Sequence, residues 1–149
     1  MKYIKIVLLL SLLLVGCQSQ QTYDIYNTWV CENKKGPIFV IQENGLCFQY
    51  NKQSNTHINY FKGQKSNIKK GKDASNLAHQ IRPELTFKNI EHLYSIQLYF
   101  DTYIDINGKD NSHLITKKDV WWYLFQIVGN GRAEVLNMNT GETFYMGVK

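Results

Sequence analysis

Val120-Trp121-Trp122-Tyr123-Leu124-Phe125-Gln126-Ile127-Val128 is a run of nine residues with a single polar side chain. β-Branched and aromatic residues pack better on a pleated sheet than on a helix. Strict alternation puts Trp121, Tyr123, Phe125 and Ile127 on one face and Trp122, Leu124, Gln126 and Val128 on the other, so both faces are largely apolar. Two adjacent indoles on a strand cannot enter the same core. One of them lines a cavity, anchors an interface or meets lipid, or else another part of the chain packs over it. Gly129-Asn130-Gly131 ends the run, Ala133 to Met138 follows, Asn139-Thr140-Gly141 makes the next turn, and Thr143 to Val148 completes a meander.

Working towards the N-terminus, His92 to Ile106 reads as a long strand with Tyr94, Ile96, Leu98 and Phe100 on its core face, ended by Asn107-Gly108. A helix over Ile90 to Leu98 competes, because Ile90, Leu93, Tyr94 and Leu98 also fit a 3.6-residue period. Ile38 to Gln42 and Leu46 to Tyr50 form a hairpin about Glu43-Asn44-Gly45, the strongest local signal in the chain. Lys34 to Pro37 is a turn, and the second half of Tyr23 to Glu32 is the first strand. Asn51 to Asn89 is polar and lysine-rich. It holds a short strand around His57 to Phe61 and two helical turns over Ala74 to Ile81, stopped before Pro83. A segment this long either folds locally or serves binding. The expected fold is mainly β: a small antiparallel meander barrel or sandwich with one polar insert that has room for a short helix.

The 149 residues are 44% hydrophobic and 13% aromatic, too rich in large apolar side chains for a disordered chain. The formal charge is +5; setting aside Lys2 and Lys5 leaves +3, a weak excess. Much of it falls between Lys62 and Lys72, including Lys69 and Lys70. This run is either a solvated loop or a patch for anionic headgroups or an acidic partner. No aromatics interleave the lysines, which argues against nucleic acid.

Lys2 and Lys5 precede an apolar run from Ile6 to Val15, too short to span a bilayer, as in an export signal. Leu14-Val15-Gly16-Cys17 resembles the lipobox of bacterial lipoproteins at all four positions. That resemblance implies a signal peptide over 1–16, acyl chains on Cys17, a tether over 17–22 and one β-rich domain over 23–149. Two or more acyl chains anchor stably where one does not. Gln18 rather than Asp after the cysteine implies, in a Gram-negative source, the outer membrane facing the periplasm.

With Cys17 lipidated, Cys31 and Cys47 remain as a pair. In an oxidising compartment they are expected to form a disulfide; the alternative is two buried thiols. Neither has a second cysteine or histidine at metal-ligand spacing. The four histidines, His57, His79, His92 and His113, are far apart, and Glu91 beside His92 diverges from it on strand or helix. Asp105, Asn107 and Asp110 suggest a calcium loop but depart from the EF-hand pattern at Lys109 and Asp110, and read better as a turn. Without a nucleophile elbow, phosphate loop or metal motif, no catalytic residues, metal or cofactor are assigned, and the chain reads as a non-enzymatic binding protein.

The candidate binding residues are Trp121, Trp122, Tyr123, Lys69 and Lys70. A meander opening on a Trp-bearing strand, with Trp29 at that place, resembles the lipocalin-like small barrels, although Asn27-Thr28 precedes it in place of Gly-x. That resemblance implies a carrier of a small apolar ligand. The start of the chain after Trp29 also resembles the membrane-bound lysozyme inhibitors, without their Ser-Gly-x-x-Tyr motif. The favoured expectation is an envelope protein partner, as for an assembly component or an inhibitor or immunity factor against a toxic hydrolase; the alternative is the carrier.

Overall fold

The computed structural model describes residues 24–33, 36–52, 58–116 and 120–149. The expected signal segment over 1–16 and the expected tether from Cys17 lie outside these residues, as do Lys34, Lys35 and His57. The strands are β1 (Thr28–Cys31), β2 (Pro37–Ile41), β3 (Cys47–Lys52), β4 (Ile58–Gly63), β5 (Lys65–Lys70), β6 (Leu93–Tyr99), β7 (Thr102–Ile104), β8 (Val120–Gly129), β9 (Arg132–Asn137) and β10 (Thr143–Val148). One helix, α1 (Lys72–Ile81), follows β5, and 3₁₀ turns occupy Ile90–His92 and Ser112–Leu114. All ten strands belong to one curled antiparallel sheet of order β5-β6-β8-β9-β10-β1-β2-β3-β4-β7. The fold is mainly β, as the alternating runs predict.

How the sheet curls follows from its register. Only Gln64 separates β4 from β5, and only Phe100 and Asp101 separate β6 from β7. Lys62 faces Thr102 and Lys65 faces Tyr99, so the register passes unbroken through the bend, where Asp101 N–H donates to Lys62 O at 3.0 Å. β4 and β5 are therefore two halves of one bent strand, and β7 and β6 are two halves of its partner. With β3 beside β4, β8 beside β6 and β10 beside β1, the pairings run round into a barrel-like wall. The bend requires Gly63, because a Cβ there would collide with the Tyr99 carbonyl oxygen.

In-facing side chains fill much of the interior. Trp29, Phe39, Ile96, Tyr123, Phe125, Val135 and Met146 are all essentially buried. Phe39 meets Tyr123 edge-on at 4.7 Å, and Trp29 meets Phe125 at 5.7 Å. At the end where the chain enters β1, buried Ile25 closes the barrel and its carbonyl accepts from Trp29 Nε1 at 3.0 Å. The outer face of β8 has a cover of its own: Trp122 and Leu124 pack with Ala78 of α1, Met138, and the Leu85 and Phe87 side chains that follow the helix. Trp122 Nε1 donates to buried Ser95 Oγ at 2.7 Å.

That cover explains why the helix over Ile90 to Leu98 competes in the sequence. Leu93 and Ser95 lie out of phase with the core face of β6, yet both are buried, because α1 packs over this side of the sheet. Apolar residues on both faces imitate a helical period. The chain from Leu93 is a strand, and only Ile90–His92 turns helically.

Two expectations are corrected. The lysine-rich segment is not a solvated loop: Lys62 lies within β4, Lys69 and Lys70 end β5, and Lys72 opens α1. Its single inward apolar residues, Phe61 and Ile68, suffice because the sheet supplies the hydrogen bonds. Nor do Cys31 and Cys47 form a disulfide. Val30 faces Ile38, which sets Cys31 level with Pro37, whereas Cys47 faces Ile41 at the other end of β2. Four residues of strand are about 13 Å, with two inter-strand spacings besides. A disulfide needs Cα atoms within about 7 Å. Both thiols are buried, and burial pushes that of Cys47 up to about 11, with the Asp101 charge acting in the same direction.

Candidate functional site

Among the described residues the barrel end opposite Ile25 is open. There the side chains of Phe61 (β4), Tyr103 (β7), Leu114 and Ile115, Val120 and Trp121 (β8) and the turn residues Asn137, Asn139 and Thr140 surround a cavity of about 430 Å³. Alternation along β8 explains its main wall. Trp121 points inward in phase with Tyr123 and Phe125 but stands at the strand's first turn of pleat, where the packed interior has ended. Phe61 is the hub of the cup. It stacks on Tyr103 with ring centroids 4.5 Å apart and planes 7° from parallel, and Trp121 leans on it at 5.0 Å. Phe100, at the bend between β6 and β7, backs both Phe61 and Trp121 at 5.5 and 5.9 Å.

A more polar chamber of about 270 Å³ adjoins the cup and shares Trp121 and Asn137 with it; Gln49, Asn51, Tyr123 and Glu142 contribute its polar groups. Tyr123 OH donates to Gln49 Oε1 at 2.9 Å, and Gln49 Nε2 donates to Asn51 Oδ1 at 3.0 Å. Burial raises the Tyr123 phenol above its ordinary range, so it stays protonated and donates. The β9–β10 turn is held by its own side chains: Asn137 Oδ1 accepts from Asn139 N at 2.9 Å and Thr140 N at 3.2 Å. Asn139 in turn ties the mouth of β8, its Oδ1 accepting from Trp122 N and its Nδ2 donating to Val120 O. Ring faces, aliphatic walls, several amides and the Glu142 carboxylate are what this end of the barrel offers.

No protein-family model, curated protein or solved structure matches this chain.

The structure divides the residues singled out from the sequence. Trp121 walls the cup and Tyr123 lines the adjoining polar chamber, whereas Trp122 is outside, under the helical insert. Lys69 and Lys70 are exposed at the far end of β5, away from the cup; the Lys70 ammonium lies 5.2 Å from the Tyr94 ring. Asp105 and Asp110 engage neighbours in their own turn. Asp105 accepts from Asn107 N, Lys109 N and Asn111 Nδ2, and Asp110 accepts from Ser112, which holds both carboxyls below their ordinary range. Sequence reading missed Phe61, Tyr103, Gln49 and Asn137. The usable signal was polarity at inward strand positions: Gln49 is in phase with Cys47, and Asn137 with Val135 and Ala133, yet both amides are buried.

Proposed function

We propose that the chain is a membrane-tethered, non-enzymatic binding protein that holds a small apolar, ring-bearing molecule in the cup at the open end of its barrel. The observation that carries this reading is the cavity of about 430 Å³ walled by Phe61, Tyr103 and Trp121 beside a smaller chamber that the Gln49, Asn51 and Asn137 amides and Glu142 line. Mostly apolar concavities with a few placed polar groups are the usual form of a small-molecule site. The lipobox-like Leu14 to Cys17 supports tethering through acyl chains on Cys17 and, in a Gram-negative source, an outer-membrane address facing the periplasm.

An envelope protein partner is the second reading. What favours it is Leu114, 61% exposed on the rim of the cup, where it would meet a partner that inserts a side chain.

Titration with the neutral probe N-phenyl-1-naphthylamine tests the first reading. Saturable fluorescence enhancement, weakened at least fivefold in both Trp121→Leu and Phe61→Leu variants, is expected. A probe signal that never saturates, or that ignores both substitutions, overturns it.

A further inference from the structure

We infer that the cup selects ligands bearing a hydrogen-bond acceptor oxygen, and that the side-chain amide of Asn137 reads that oxygen. The inference rests on the ligand-binding reading and names the ligand's chemistry.

Asn137 ends β9 opposite Tyr123, in phase with Ala133 and Val135, so it points into the barrel; it is 8% exposed and lines both the cup and the polar chamber. Its orientation is determined by its neighbours. The backbone groups Asn139 N–H and Thr140 N–H can only donate, and both donate to one terminal atom of the side chain, which must therefore be the oxygen. The NH₂ end is then turned away from the turn. Among the described residues nothing accepts from Asn137 Nδ2. Among the described residues Gln126 Oε1 is the buried side-chain polar atom left without a partner, so the Asn137 NH₂ group is reached by solvent from the cavity, and a ligand that displaces that water must offer an acceptor in its place.

The neighbouring amide does not relieve it. Gln49 Oε1 already accepts from Tyr123, and Gln49 Nε2 donates to Asn51, leaving that nitrogen one further hydrogen. A ligand whose ring lies against Phe61, Tyr103 and Trp121 and whose carbonyl, ether or hydroxyl oxygen reaches Asn137 satisfies both halves of the site. A pure hydrocarbon satisfies one.

Two near-isosteric probes separate these cases. 2-Acetylnaphthalene carries a carbonyl where 2-ethylnaphthalene carries a methylene. The mature protein is expected to bind the first about tenfold more tightly, and the side-chain NH₂ resonances of Asn137 are expected to move with the first probe only. In Asn137→Asp the oxygen that accepts from Asn139 and Thr140 remains while the donor becomes an acceptor, so the turn stays closed. That variant is expected to lose the tenfold preference between the two probes. Equal affinity of the unsubstituted protein for the two probes overturns the inference and leaves the cup as a binding site; so does a preference that survives Asn137→Asp. The NH₂ resonances decide the matter without the variant should it not fold. If neither probe binds, the ligand-binding reading fails, and the inference with it.

Discussion

The two ends of the barrel are built from the same kinds of residue and do opposite things with them. At the Ile25 end, Trp29, Phe39 and Phe125 interlock edge to face and Ile25 seals the stack, so these three rings keep essentially no exposed surface. At the other end Phe61, Tyr103 and Trp121 stack on one another but stop short of filling the space, and half-buried ring faces remain around the cavity. Aromatic content by itself therefore does not distinguish core from site. What differs, among the described residues, is whether a further element comes down on top of the rings.

Truncation should expose that contrast most sharply. Trp29→Ala removes a fully buried indole and its bond to Ile25, and is expected to cost about 3–5 kcal/mol in denaturant unfolding. Trp121→Ala, on the open wall, is expected to cost well under half as much in the same measurement while weakening ligand binding. Equal costs would mean that the cup is as tightly packed as the core.

A smaller effect is expected at the boundary between the two ends. Tyr123→Phe keeps the ring packing against Phe39 but strips the donor from buried Gln49 Oε1. Leaving that acceptor unpaired is expected to cost about 1–3 kcal/mol. If water from the open end reaches Gln49 instead, the loss falls to a few tenths of that, which thermal unfolding of the variant would show.

The smallest effect belongs to the outside of the wall, which neither end uses. Arg132 Nε and Glu32 Oε1 form an exposed pair at 2.6 Å, and the bond from Arg132 holds the Glu32 carboxyl below its ordinary value of 4.5. A depressed carboxylate contributes stability above its unfolded-state value and loses it as the pH falls through the folded-state one. The slight advantage of the unsubstituted protein over Glu32→Gln should thus be present near neutrality, vanish in acid below the ordinary carboxylate range, and shrink with salt. An advantage that grew in acid would rule out this ion pair as its source.

Much of the wall was legible in the chain. The Glu43-Asn44-Gly45 hairpin, the two Gly- and Asn-marked turns of the final meander and the core face Tyr94, Ile96, Leu98 and Phe100 are where local chemistry points, because turn residues and period-two burial act over a few residues. β5 was not legible. Lys65-Ser66-Asn67-Ile68-Lys69-Lys70 has the composition of a loop, and is a strand because β6 pairs with it along its whole length. The cysteine pair misled for a related reason: count and compartment bear on whether a bridge is favoured, but register sets the two thiols at opposite ends of β2.

The cup divides in the same way. Alternation alone requires Trp121 and Trp122 to part, since successive side chains on a strand leave on opposite faces. Which one remains available was decided by tertiary structure, because α1 and the chain after it cover Trp122, and no comparable element covers Trp121 among the described residues. Likewise the sequence contains Phe61, Tyr103 and Asn137 at wide separations, and only the curl of the sheet brings them to one rim. Side-chain direction is a local property of the backbone and can be read from the chain; what packs against a side chain depends on contacts distant in sequence, and those exist only once the sheet has curled.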